Sequence, residues 1–212
     1  MPAVDSARFW DRAARKYAAS KIADTAGYER TLERARHYLK PGDTAWELGA
    51  GTGTTALRLA PSVARYVATD ISPEMIAIGR EKAAAEGVAN LEFAVGAADS
   101  AAWPDASFDA ALAFNLLHLI EAREAALQTV HRLLKPGGLF ISKTPCLTEM
   151  NPLIRLAVPV MQVFGQAPYV GFLSAEELER DIAAAGFEIV ERDRHGTRRK
   201  QEPRIFLAAR KI

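Results

Sequence analysis

Short apolar runs punctuate the chain at intervals. Thr44 to Leu48, Tyr66 to Thr69, Leu91 to Val95, Ala110 to Phe114 and Leu139 to Lys143 are too continuously apolar for half-exposed strands and read as strands buried on both faces. Between most of them the apolar positions widen to helical spacing. Ser72-Pro73-Glu74 opens one such helix, with Ser72 as N-cap and Pro73 in the first turn, and Gly87 follows its end near Glu86. Ser174 followed by Glu177 is a capping-box pair for a later helix that Gly186 closes. Two helices lead in, at Ser6 to Ala19 and Gly27 to Leu39, the second stopped by Pro41-Gly42. Two strands, Phe187 to Glu191 and Arg204 to Ala209, complete the pattern. This alternation predicts an α/β fold: a doubly wound, mostly parallel sheet with helices on both faces.

The first strand runs into Gly49, Gly51 and Gly53, at alternate positions just before a helix. Such a loop takes turns closed to residues with a Cβ and turns main-chain N–H groups toward a ligand at the helix start. Asp70 ends the second strand about twenty residues on, where a nucleotide-binding sheet offers a carboxylate to ribose hydroxyls. A dinucleotide fingerprint reads GxGxxG, whereas this loop reads GxGxG, with Thr54 where the third glycine of that fingerprint belongs.

Preceded by an acid, Glu47, the loop resembles motif I of the class I S-adenosylmethionine-dependent methyltransferases, and Asp70 matches their ribose-binding acid. The resemblance continues through WPDASFDAALAFNLLHLI and HRLLKPGGLFISKTP, and begins with FWDRAARKY. It implies a Rossmann-like, seven-stranded sheet whose last strand enters antiparallel. It also implies S-adenosyl-L-methionine as cofactor, converted to S-adenosyl-L-homocysteine. Glu47, Gly49, Ala50, Gly51 and Gly53 would hold the methionine part, Asp70 the ribose, and Ile71 and Met75 the adenosine, although both apolar residues could equally be plain core. Relatives with this opening close an aromatic lid over the cofactor, which here would use Tyr17 and Tyr28 with Trp10. Many relatives carry an adenine-binding acid directly after the glycine of the third strand. Here Ala97 stands at that position, so adenine is held either by Asp99 or by backbone groups around Ala98. Asn115, after the fourth strand, could meet the cofactor's amino group or the acceptor; His118 is the candidate base, with packing as its alternative role.

The 212 residues suffice for one domain, with residues 1–40 as a helical lid and 146–173 as an inserted substrate cap. Lys and Arg total 27 against 26 Asp and Glu, a net charge of +1 that provides no field for nucleic acid, so a small-molecule acceptor is favoured. Asn115-Leu116-Leu117-His118 is also far from the NPPY-type sequence of nucleic-acid base methylases. The opening residues lack a signal-peptide stretch, no segment is long and apolar enough to span a bilayer, and the lone Cys146 fits a reducing compartment, so a cytoplasmic protein, monomeric or homodimeric, is expected. Cys146 reads as a buried thiol. His37, His131 and His195 are scattered, and no metal is predicted. The basic run Arg192 to Lys200 reads as a solvated hairpin loop.

Thr144 to Ser174 is longer than a crossover needs, and its Leu153, Ile154, Leu156, Val158, Val160, Met161, Val163 and Phe164 are too apolar for a free loop. These residues are expected to pack over the cleft, with Met161 and Phe164 shaping a partly apolar acceptor pocket; core filling or a dimer contact is the competing role. The expected activity is methyl transfer to a nucleophilic atom of a small molecule. A nicotinamide-dependent oxidoreductase would also use the glycines and Asp70, but not the GxGxG order, and a protein that binds the cofactor without turnover would use every motif.

Overall fold

The computed structural model describes residues 3–149, 152–163, 167–196 and 204–212. Helices α1 (Ala3–Ala19) and α2 (Thr25–Tyr38) precede β1 (Thr44–Leu48), α3 (Thr54–Leu59), β2 (Arg65–Asp70), α4 (Pro73–Glu86) and β3 (Leu91–Val95). Then follow β4 (Phe108–Phe114), α5 (Arg123–Leu133), β5 (Leu134–Pro145), α6 (Pro152–Val163), α7 (Ala175–Ala184), β6 (Phe187–Arg194) and β7 (Arg204–Lys211). The seven strands form one sheet in the order β3-β2-β1-β4-β5-β7-β6. All are parallel except β7, which runs antiparallel between β5 and β6. The α/β doubly wound sheet with an antiparallel last strand is thus as expected.

Local chemistry explains the element ends. The Ser72 hydroxyl accepts from the Met75 N–H at the start of α4, and Gly87 closes that helix in the left-handed region. Ser174 and Glu177 form a reciprocal capping box on α7. Strand β5 starts earlier than its apolar run, at Leu134, because Lys135 to Gly138 form an irregular extension beside β4 where the register shifts.

Both sheet faces are covered, so the strands are apolar throughout. On one face α5 and α7 pack over Trp46, Phe108 and Phe140; on the other α2, α3 and α4 cover Tyr66, Phe93, Phe206 and their neighbours. Trp46 stacks on Phe108 at 5.7 Å, and its indole N–H donates to Thr69 Oγ1 at 2.9 Å, so its one polar atom is paired inside the core. Truncating either ring to alanine is worth about 3–5 kcal/mol at a buried site. Helix α1 lies outside this pair of layers, with Ala14 against Met75 and Ile78 of α4.

Two expectations need correction here. His195, read as part of a solvated loop, is fully buried. It stacks on Phe206 at 4.5 Å and bonds Thr31 through Nδ1 and Asp193 through Nε2, and Arg192 to Arg194 belong to β6, while 197–203 lie outside the described residues. A ring that finds partners at both nitrogens loses the reason to stay in water. On α6, Leu153, Val160 and Met161, expected to pack over the cleft, are instead exposed, at positions that share one side of the helix.

Candidate active site

Strand order reverses between β1 and β4, and an open sheet of this kind leaves a crevice beyond the carboxyl ends of those strands. A cavity of about 360 Å³ opens there. The loop after β1 contributes Gly49 and Gly51, and the end of β2 contributes Asp70 and Ile71, with Met75 from α4. Gly96, Ala97, Ala98 and Asp99 follow β3; Phe114, Asn115, Leu116, Leu119, Ile120, Glu121 and Ala122 follow β4. Helix α1 adds Ser6, Trp10 and Tyr17, and the segment between β5 and α7 adds Tyr169.

One half of this wall is built around a carboxylate. Asp70 accepts from the Gly51 N–H at 2.9 Å through one oxygen and from the Ser72 N–H at 2.9 Å through the other. Burial raises its pKa, and the same backbone donors oppose that rise. Gly51 leaves the loop open to the cavity, since an added Cβ would touch only the Tyr17 ring, at 3.8 Å. The Tyr17 hydroxyl is held above its usual pKa by burial and by the negative field of Asp70 and Glu47, so it stays protonated.

The other half is mostly apolar. Leu116, Leu119, Ile120 and Tyr169 face the same space, with Asn115 at the junction. Asn115 has φ +54°, a left-handed conformation uncommon outside glycine, and its N–H donates to the Lys143 carbonyl at 2.7 Å. That bond fixes the turn in which β4 leaves the sheet and exposes the amide side chain.

Several expected ligands stand behind this wall instead of in it. Glu47 is buried, accepts from the Tyr66 hydroxyl at 2.9 Å, and is raised by burial to a pKa of about 8. Gly53 caps α3, where a Cβ would run into the Phe93 ring; Ala50 donates its N–H to Thr69 and packs on the core. Tyr28 also packs on that core and reaches Thr54 and Thr55. These residues support the loop from below. His118 is absent from the wall: burial lowers its pKa to about 4, and its carbonyl accepts from the Gly171 N–H at 2.7 Å. Met161 is exposed on α6 and does not line the cavity, and Phe164 lies outside the described residues. Cys146 is buried with its thiol pushed up to about 12, which makes it no nucleophile.

Tyr17, Gly49, Gly51, Asp70, Ile71, Met75, Ala98, Asp99 and Asn115 are therefore brought together. Ser6, Leu116, Leu119, Ile120, Glu121, Ala122 and Tyr169, none of them singled out in the sequence, join them. Among the described residues no three His, Cys, Asp or Glu side chains are grouped so as to hold a metal, and no described helix is long and apolar enough to cross a membrane.

Residues 45–138, from β1 to the middle of β5, match the profile of a methyltransferase domain. That segment is similar to the class I S-adenosylmethionine-dependent methyltransferases. The chain is 36% identical over 107 residues to the ubiquinone/menaquinone biosynthesis C-methyltransferase UbiE of Brucella anthropi, covering 48% of this chain and 40% of that one. Against the uncharacterized methyltransferase YcgJ of Bacillus subtilis it is 34% identical over 120 residues, 53% of this chain and 47% of that one. The chain thus spans about half the length of the curated relatives it matches. Among solved structures, a putative methyltransferase from Haloferax volcanii, in complex with its Trm112 activator, superimposes with a TM-score of 0.78 at 20% identity, over 97% of this chain and 96% of that one. Its likeness concerns the fold. The cavity has the features that S-adenosylmethionine, the cofactor of such enzymes, would need: a glycine loop without side chains, a carboxylate at the end of β2 and apolar residues beside them.

Proposed function

We propose that the protein transfers a methyl group from S-adenosylmethionine to a nucleophilic atom of a small, partly apolar acceptor. The observation that carries this reading is a single cavity with two unlike halves, one with the features of a cofactor cradle and one lined by Leu116, Leu119, Ile120 and Tyr169. Asp70 would accept from the ribose hydroxyls, while Gly49 and Gly51 admit the close approach of backbone that a side chain would block. Ile71 and Met75 would flank the adenine, with Ala98 and Asp99 toward its amino edge. Glu47, held under the loop, supports the methionine end.

When bound, the cofactor supplies an electrophilic methyl group on a sulfonium. The protein then has to align the acceptor atom and keep water away, and orientation of this kind alone lowers a barrier by up to about 7–11 kcal/mol. Trp10 and Tyr17 of α1 cover one side of the cavity and Tyr169 another, which suits exclusion of solvent. No described histidine lines the cavity, and His118 is held by burial as a weakly basic ring. This favours acceptors that are already nucleophilic at neutral pH.

The test is incubation with methyl-labelled S-adenosylmethionine and fractionated small-molecule extract, followed by identification of the labelled product. Label in a low-molecular-weight product, with S-adenosylhomocysteine released in equal amount, supports the reading. Tight binding of NAD in place of S-adenosylhomocysteine would move the protein to the oxidoreductases, and binding without any labelled product would leave a cofactor-binding protein.

A further inference from the structure

Helix α1 reaches the cofactor cradle by two routes. Trp10 and Tyr17 line the cavity directly, whereas Asp11, between them in sequence, points to the start of α4. Its Oδ1 accepts from the Ser72 hydroxyl at 2.6 Å and from the Glu74 N–H at 3.2 Å. Ser72 is the N-cap of α4 and is itself buried; its hydroxyl oxygen accepts from the Met75 N–H at 3.1 Å, and its own N–H donates to Asp70 Oδ1 at 2.9 Å. The second oxygen of Asp70 takes the Gly51 N–H. A continuous line of hydrogen bonds therefore runs from α1 through Ser72 and Asp70 to the glycine loop.

The line has a direction. Ser72 has one hydroxyl proton, and giving it to Asp11 leaves the oxygen free to accept from Met75. With that proton committed, the Ser72 side chain is tied to α1 on one side and to the α4 start on the other, which fixes in place the residue whose N–H reaches Asp70. Without Asp11 the hydroxyl is free to turn, and the Glu74 N–H at the helix start loses its acceptor. Two carboxylates brought together this way also repel: Asp11 adds to the rise in the Asp70 pKa.

We propose that Asp11 is a positioning residue for the cofactor: through Ser72 it fixes the Asp70 carboxylate, and so couples the seating of helix α1 to the closing of the cradle. This rests on the cofactor reading above. Asp11 does not line the cavity and would touch neither substrate.

The experiment compares the intact protein with Asp11→Ala and Asp11→Asn, measuring S-adenosylhomocysteine binding by calorimetry and thermal unfolding without ligand. Asparagine keeps the acceptor oxygen for Ser72 and Glu74 and removes the charge, so it should bind within about twofold of the parent. Alanine removes the acceptor and should weaken binding by about five- to thirtyfold, on the scale of one bond to a charged group. Binding should also protect α1 from limited proteolysis in the parent and in Asp11→Asn, and much less in Asp11→Ala. Arg15→Ala, which removes an exposed pair with Glu74 on the same helices, is the control and should change nothing. A purely structural Asp11 would lower the unfolding temperature while leaving affinity and ligand-dependent protection intact, and that outcome overturns the proposal. If the parent itself does not bind S-adenosylhomocysteine, the underlying reading fails; if it binds and Asp11→Ala binds equally, only the positioning role fails.

Discussion

Gly51 and Gly53 stand two residues apart in one loop, and alanine at each should fail in a different way. At Gly51 φ is +56°, so alanine costs about 1–2 kcal/mol in the left-handed region. Space is not a problem, because the new Cβ would meet only the Tyr17 ring at 3.8 Å. For a domain of this size 1 kcal/mol lowers the unfolding temperature by about 2–4 °C, so Gly51→Ala should unfold about 2–8 °C early. It would, however, put a methyl group where backbone must approach the cofactor, and binding should fall below detection. At Gly53 φ is +73°, and the added Cβ would lie 2.6 Å from Phe93 Cζ. The ring cannot retreat, since it already fills the space where a Cβ on Gly79 would lie. Overpacking adds about 1–3 kcal/mol to the backbone penalty, for a total near 2–5 kcal/mol and a drop of about 4–20 °C. Whatever folds should still bind, with affinity per folded molecule close to that of the parent. Chemical denaturation paired with calorimetric titration of S-adenosylhomocysteine separates the two effects. The reasoning collapses if Gly53→Ala is as stable as the parent but blind to ligand, or if Gly51→Ala binds normally.

Asp70→Ala should weaken cofactor binding about tenfold or more by removing bonds to a charged acceptor, and calorimetry showing unchanged affinity would take Asp70 out of the site. Glu47 is raised to a pKa of about 8 by burial, so its native form holds a proton that the unfolded chain loses near pH 4.5. Its contribution to stability is therefore complete below pH 4.5 and declines up to about pH 8. The stability of Glu47→Gln relative to the parent should rise across that window by at most about 1.4 kcal/mol per pH unit and then level off; a difference independent of pH would mean that the carboxyl is ionised when folded. Tyr169→Ala should raise the Michaelis constant for the acceptor and spare cofactor affinity, while Met161→Ala, on the exposed side of α6, should alter neither; the reverse order would restore α6 as the pocket wall. Turnover should survive EDTA, because no metal-ligand group exists among the described residues, and loss restored by magnesium would contradict this.

The sheet was legible because burial on both faces writes itself into the sequence as unbroken apolar runs, and the caps at Ser72 and Ser174 because a specific hydroxyl must sit there. Strand β5 was read too short, since Lys135-Pro136-Gly137-Gly138 has the composition of a turn and its pairing depends on the neighbouring strand. In the site, the motif named the loop but not its orientation: Gly51 opens on the cavity, whereas Glu47, Ala50 and Gly53 serve the same loop from beneath. One-dimensional spacing cannot separate a residue that touches a ligand from one that supports it. Leu119 and Ile120 lie in the segment that carried the resemblance and Tyr169 in the expected cap, but nothing singled them out there, because the loops that bring them in follow a path set by contacts such as Gly171 to His118. For α6 the apolar pattern was correctly helical, yet amphipathicity names a face without naming what lies against it.

Strand β7 lies between β5 and β6, although it is the last of the three to be made. As the polypeptide leaves the ribosome, β6 has no strand to pair with, and the edge of β5 from Leu139 to Pro145 stays open until residues 204 to 211 arrive. At about 5–20 residues per second the stretch from Pro145 to Lys211 takes roughly three to thirteen seconds. During it the nascent sheet carries an apolar edge, the template on which strands of other molecules assemble. Slow translation or a rare codon between β6 and β7 would therefore lower the yield of native protein without altering a single contact in it.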